Sequence, residues 1–196
     1  MNPEIMATAI WTDNSHLIYE VAQLGYISVD GPVLDATYGE GTFWKRFTPP
    51  HMVKNDLYKR AHMHADFRKL PVSDGYFDTV VFDPPYKLSG TPALGQFDQR
   101  YGIDKPVPWQ ERMNIIIDGA VECLRVTKPG GTLLVKCQDQ VCSGRVIWQT
   151  DILTKVLAPA QKIDRFDFIY SPRAQRSQEH ARRNTSQLLV FRKKVA

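Results

Sequence analysis

The chain has 196 residues, of which 43% are apolar and 23% charged, and a formal net charge of +4. That size and apolar content fit one domain over 1–196 with a substantial core and leave little room for a second. No run approaches the roughly 18 uninterrupted apolar residues of a membrane span, and no basic-then-apolar leader opens the chain, so a cytoplasmic protein without a membrane partner is expected.

In chain order, Leu17, Ile18, Val21 and Leu24 fall at helical spacing with Asn14 or Ser15 available as a cap, which predicts an N-terminal helix over 14–24. Residues 32–36 form a short apolar strand ending at Asp35 and running into the turn Tyr38, Gly39, Glu40, Gly41, Thr42, then a short helical stretch. A weaker strand over 53–57 ends at Asp56, and Asp66 precedes a loop through Leu70 and Pro71. The clearest strand, 77–82, delivers the chain to Asp83. A helix over about 109–126 is stopped by Pro129, Gly130 and Gly131, with a strand at 132–137 after it. A helix over about 146–157 and strands at 163–170 and 187–192 complete the series. Alternation of this kind predicts an α/β protein with parallel strands joined by helices.

Cys123, Cys137 and Cys142 are too few and too irregularly spaced for a disulfide framework or a zinc site, and His62 and His64 lack a third ligand nearby in sequence, so no metal is expected. Residues 87–108, rich in Gly, Pro, Gln and Asp, show no strong periodicity. A loop of that length beginning directly after Tyr86 is expected to be a substrate loop.

A strand that ends in an acid, followed by glycines two apart at the mouth of a helix, is a nucleotide-type binding turn, because glycine lets the backbone adopt positive φ and approach a ligand closely. Position 44 is Trp44 where a dinucleotide fingerprint carries a third glycine, which weakens a nicotinamide reading. The pattern suits a cofactor with an amino-acid end, a sulfonium and an adenosine. Asp35 can sit near the amino-acid end, Asp56 near ribose hydroxyls, and Asp66 with Phe67 against the adenine. A surface acid or a helix cap accounts for Asp56 equally well.

In Asp83, Pro84, Pro85, Tyr86 the prolines rigidify the chain and remove two backbone donors. A rigid strand exit would explain the prolines but not the acid and aromatic that bracket them, where ligands bind in open α/β sheets. An exocyclic base amine is a poor nucleophile because its lone pair is delocalised into the ring. Acceptors such as the Asp83 carboxylate and the Pro84 carbonyl, aimed at its two hydrogens, would turn that lone pair towards an electrophile. Tyr86 offers a face for base stacking.

This segment and the turn from Asp35 to Gly41 together resemble the class I S-adenosylmethionine-dependent amino-methyltransferases that methylate adenine N6 or cytosine N4 in DNA; related RNA enzymes share the four-residue motif. In element order the likeness runs over 31–192, and the closing segment 186–192 is similar to the final strand of these enzymes. The resemblance implies a three-layer Rossmann-like α/β fold with a mostly parallel seven-stranded sheet and one antiparallel strand. It implies S-adenosyl-L-methionine as cofactor, held by Asp35, Gly39 and Gly41, and target-amine roles for Asp83, Pro84 and Tyr86. Thr37, a cofactor-packing position, departs from the Phe that many DNA enzymes carry there.

The charge is uneven. Residues 173–194 carry a net +6 and the rest of the chain −2, as a phosphate-tracking surface would; a solvated basic hairpin is the plainer alternative. With no stretch long enough for a separate recognition domain, target reading is expected from 87–108 and 173–183. Tyr101 and Trp109 would stack, and Arg173, Arg176, Arg182 and Arg183 would meet phosphates. The short chain points to a short site, an RNA target or specificity borrowed from a protein partner. Adenine N6 in DNA is the leading expectation, ahead of adenine N6 or guanine N2 in RNA, cytosine N4 in DNA and, last, a non-catalytic binding module. C5 methylation is disfavoured because its cysteine nucleophile typically follows a proline, and no Pro-Cys dipeptide occurs.

Overall fold

The computed structural model describes residues 9–58, 60–88, 107–142, 144–170 and 183–195. Strand β1 (Ile10–Trp11) precedes helix α1 (Asn14–Gln23). The Asp13 side chain caps α1 by accepting the His16 N–H at 2.8 Å, one position before the expected Asn14 or Ser15. Strand β2 (Val33–Asp35) is followed by a 3₁₀ turn (Thr42–Trp44), β3 (Met52–Lys54) and β4 (Phe77–Phe82). Helix α2 (Trp109–Val126) passes directly into β5 (Thr127–Cys137). An antiparallel hairpin of β6 (Gln140–Cys142) and β7 (Arg145–Ile147) leads to α3 (Gln149–Val156), β8 (Ala160–Ile169) and β9 (Thr185–Lys193).

The main sheet has seven strands in the order β1-β8-β9-β5-β4-β2-β3. β9 runs antiparallel to β5 and β8, and every other neighbouring pair is parallel. The mostly parallel sheet with one reversed strand is therefore as expected, though its two-residue edge strand β1 carries too little sequence pattern to be foreseen.

Successive strand residues point to opposite faces, and both faces are covered, so the central strands read as nearly unbroken apolar runs. Leu34, Val80, Phe82, Leu133 and Val135 face α2 and α3 and pack with Ile116, Ala120 and Leu153. Val33, Val81, Leu134, Leu188 and Val190 face the other way, onto Leu17, Ile18 and Val21 of α1 and Phe43 and Trp44 of the 3₁₀ turn.

The strand expected over 132–137 begins at Thr127, ahead of Pro129, Gly130 and Gly131, and two further boundaries differ for identifiable reasons. The helix expected over 146–157 begins at Gln149, because the apolar pair Val146 and Ile147 belongs to β7. The strand expected over 53–57 stops at Lys54, where buried Asn55 takes over. Its side chain bonds Ala36 O, Ala65 O and Ala65 N–H, each at 3.0 Å, and so ties three loop segments together. Among the described residues no helix is long and apolar enough to cross a membrane.

Candidate active site

The site lies at the carboxyl edge of β2, β3, β4 and β5. After β2 the backbone is stitched to both neighbours: Ala36 N–H donates to Val81 O and Tyr38 N–H to Asn55 O. Gly39 and Gly41 follow with φ of 54° and 66°, the left-handed region that a side chain opposes. A Cβ on Gly41 would come within 2.5 Å of the Tyr38 hydroxyl. Gly39 N–H donates to Asp56 Oδ2 at 3.0 Å, which draws the turn against the loop after β3. Between them lies a small cavity lined by Ala36, Thr37, Asn55, Asp56, Leu57, Ala65 and Phe67.

Asp35 is buried, and both of its oxygens are used. Oδ1 accepts Thr37 N–H at 3.0 Å and Oδ2 accepts the Trp44 indole N–H at 2.5 Å. Trp44, the residue that broke the glycine pattern, thus holds the acid that begins the turn. Burial pushes the Asp35 carboxyl up to about 7, against the pull of these two bonds and with a further push from Asp83 and Asp56.

Thr37 reaches across to the neighbouring turn, its hydroxyl oxygen accepting Asp83 N–H at 2.8 Å. The Asp83 backbone is fixed in this way, while its Oδ1 is sealed from solvent with no hydrogen-bond partner among the described residues. Burial raises the Asp83 carboxyl above its ordinary value and Lys136 pulls it back. The Pro84 carbonyl is not free, as the prolines alone suggest. It accepts Tyr86 N–H at 2.7 Å in a three-residue turn around Pro85, which leaves one of its two lone pairs.

Tyr86 is the most tightly held member. Its carbonyl accepts Gln140 Nε2 at 2.9 Å and Gln149 Nε2 at 2.7 Å, and its hydroxyl meets that of Tyr170 at 2.7 Å, with Ser186 Oγ 3.3 Å from the latter. Burial first, then the Asp83 charge and Tyr170, push the Tyr86 hydroxyl well above the usual phenol range. Neither glutamine carries a sequence signal that marks it, since each meets Tyr86 only through tertiary folding.

The other candidates divide. Phe67 lines the small cavity and packs edge-on against Phe82 at 5.2 Å. The Asp66 carboxylate turns instead to Arg68, taking its backbone N–H at 2.8 Å and its guanidinium at 2.6 Å, and Arg68 holds it below the ordinary carboxylate range. An adenine role for the Asp66 side chain would require that ion pair to open. Trp109 opens α2 half-buried against the core. Arg183 places its guanidinium 4.8 Å from the Trp148 ring centroid. Tyr101, Arg173, Arg176 and Arg182, with 89–106 of the expected substrate loop, lie outside the described residues.

The described part of the basic stretch, 183–194, does not present its charges on one surface. Because β9 is antiparallel to β8, Arg183 stands at the edge that carries Asp83, and Arg192, Lys193 and Lys194 stand at the opposite edge. Nine strand residues at about 3.4 Å each separate them by roughly 30 Å. There Lys193 Nζ donates to the carbonyls of Leu124, Arg125 and Thr127 at 2.8, 3.0 and 2.6 Å, satisfying the end of α2.

No protein-family model and no curated protein matches the sequence. Among solved structures, the chain is similar to the N-methyltransferase NodS from Bradyrhizobium japonicum WM9 in complex with S-adenosyl-L-homocysteine, with a TM-score of 0.57 and 13% identity over 91% of this chain and 85% of that one. The protein BH2331 from Bacillus halodurans C-125, provisionally assigned as a methyltransferase, aligns with a TM-score of 0.55 and 14% identity over 91% of this chain and 99% of that one. The [4+2]-cyclase SpnF aligns with a TM-score of 0.53 and 16% identity over 93% and 81%. The chain therefore has the Rossmann-like methyltransferase fold. SpnF shows that the fold by itself does not fix the reaction.

Proposed function

We propose that this protein is an S-adenosyl-L-methionine-dependent methyltransferase that methylates an exocyclic base amine in nucleic acid, adenine N6 in DNA. The observation that carries the reading is Asp83: a desolvated carboxylate with a sealed oxygen that has no partner among the described residues, followed by a rigid Pro-Pro turn and a clamped tyrosine, at the carboxyl edge of a parallel sheet. A buried acceptor without a partner costs about 1–3 kcal/mol, which marks a place where a ligand's donor belongs.

The positive-φ glycines let backbone approach the cofactor closely, and the residues from Ala36 to Phe67 would flank its adenosine, for which the small cavity between them has to widen. Asp56, whose oxygens take the Gly39 and Tyr58 N–H groups, would accept ribose hydroxyls on its remaining lone pairs. The bound cofactor supplies a sulfonium methyl group, already an excellent electrophile. Asp83 and the remaining lone pair of the Pro84 carbonyl accept the two amine hydrogens and turn the nitrogen lone pair towards that methyl. Transfer of that methyl would leave the cofactor as its neutral thioether and the amine with one surplus proton, which the Asp83 carboxylate would accept and pass on to solvent. Tyr86 stacks on the base, worth about 1–3 kcal/mol, and a duplex target is flipped out first. Arg183, with Arg173, Arg176 and Arg182, meets phosphates. A protein partner supplies any longer recognition sequence.

The test is incubation with labelled cofactor and, in parallel, unmethylated DNA and RNA, followed by mass spectrometry of the nucleosides. Labelled N6-methyladenine from DNA is expected. Label only in RNA would move the polymer, label only on cytosine N4 would move the base, and label in neither would overturn the reading.

A further inference from the structure

Lys136 is 1% exposed, near the end of β5, in the midst of an apolar layer. Its ammonium donates to Asn14 Oδ1 at 2.7 Å and lies 5.0 Å and 4.9 Å from the ring centroids of Phe43 and Phe168. An isolated buried ammonium is costly, and a neutral amide with two aromatic faces offsets only part of that cost. The compensating charge is Asp83. Val81 pairs with Leu134 and Phe82 with Val135, so the next step brings 83 beside 136. By the period-2 alternation both point to the face that carries Val81 and Leu134.

Among the described residues the two make no ion-pair contact: the lysine's hydrogen bond goes to Asn14, and the sealed Asp83 oxygen has none. A direct salt bridge would have consumed the acceptor. A lysine held a short way off favours the carboxylate and leaves its oxygen open. The other titratable groups around Asp83 are Asp35 on β2, Tyr86, and Tyr170 beyond it. The α1 helix and the 3₁₀ turn face the cluster with Asn14, Phe43 and Trp44, which do not titrate. Among the described residues Lys136 is thus the cation that acts on Asp83.

We propose that Lys136 is a positioning residue for the reaction, which from between Phe43 and Phe168 keeps Asp83 a hydrogen-bond acceptor through its charge, without occupying the oxygen that the substrate amine needs. This rests on the amine-methylation reading for its purpose, but its physical content stands apart from turnover.

The experiment is a carbon-13 NMR titration of the aspartate carboxyls in the full chain, with the Asp83 signal assigned by its loss in Asp83→Asn. In Lys136→Met the Asp83 midpoint should rise by about one pH unit or more relative to wild type. The acid limb of kcat should move up with it, while cofactor affinity by calorimetry stays within about twofold. Should Lys136→Met fail to fold, Asn14→Asp decides: it pairs the ammonium in place, at a helix start that tolerates an acid, and should raise the same midpoint by less. An unmoved midpoint in the folded variant, or turnover falling equally at every pH, overturns the proposal. Absence of base methylation by wild type would instead sink the functional reading and leave the NMR result standing.

Discussion

Asp35 at the end of β2 and Asp83 just after β4 lie on neighbouring parallel strands at the same edge and face the same side of the sheet, both with their carboxyls pushed up by burial. Asp35 has both oxygens filled by Thr37 N–H and the Trp44 indole, whereas Asp83 keeps one with no partner among the described residues. A satisfied buried acid shapes a turn and stabilises the fold; an unsatisfied one costs stability and is retained where a ligand will complete it. Loss of the two acids should therefore have opposite signatures.

The largest effect belongs to Asp83→Ala. Turnover should fall about a thousandfold, equivalent to roughly 4 kcal/mol of lost transition-state stabilisation. Cofactor affinity should hold, and the melting temperature should change little, because relief of an unsatisfied buried acceptor is offset by leaving the Lys136 ammonium without its compensating charge. A loss as large as that of Asp35→Asn would erase the contrast. Steady-state kinetics beside calorimetry and thermal melts check all three.

Asp35→Asn should act the other way round, destabilising by about 1–3 kcal/mol, because an amide accepts from one of the two donors and turns its own NH₂ on the other. It should also change the pH dependence. The folded carboxyl lies at about 7 against 3.8 for the ordinary group, so between those values the folded state binds the extra proton. Stability from this group is full below about pH 4, declines as pH rises to about 7, and is level above; the whole span is on the order of 4 kcal/mol. The Asn variant should flatten that decline in melts between pH 4 and 8, and an unchanged slope would place the titrating acid elsewhere.

Thr37→Val tests the link between the two turns. It removes the oxygen that accepts Asp83 N–H while keeping the side chain's shape. A stability loss of about 1–2 kcal/mol is expected, with kcat reduced about tenfold and KM for the nucleic acid little changed, since the base would still stack on Tyr86.

The contrast also explains what could be read from the sequence. Six of the seven sheet strands and the acids at their ends were legible, because buried parallel strands leave continuous apolar runs such as 77–82 and the turns that follow carry Gly and Pro; the full count of seven and the reversed strand followed only from the resemblance carried by the Asp35–Gly41 and Asp83–Tyr86 segments. The partners of those acids were not. Trp44 registered only as a missing glycine, yet its indole holds Asp35. Lys136 lay inside an apolar strand and Asn14 stood in a capping position, and only the fold joins them. The sign of charge in 173–194 was plain, but its division between two edges follows from the reversal of β9. Periodicity reports which face a residue occupies, and hydrogen bonds between distant segments leave no period.

The smallest effect is expected at the clamp behind Tyr86, where the two glutamines are unequal. Gln149 donates to the Tyr86 carbonyl while its own Oε1 is sealed with no partner among the described residues. In Gln149→Leu the carbonyl keeps Gln140, and one stranded oxygen disappears. Stability should shift by no more than about 0.5 kcal/mol and turnover by less than about threefold. Gln140 uses both ends, donating to Tyr86 O and accepting Leu88 N–H at 2.9 Å. Gln140→Leu should therefore cost about 1–2 kcal/mol, because it strands the Leu88 amide where the chain leaves the site. The double variant, with Tyr86 O bare, should lose more than the sum of the two. Equal single losses would mean that the carbonyl, and not the start of the loop, is what the clamp serves.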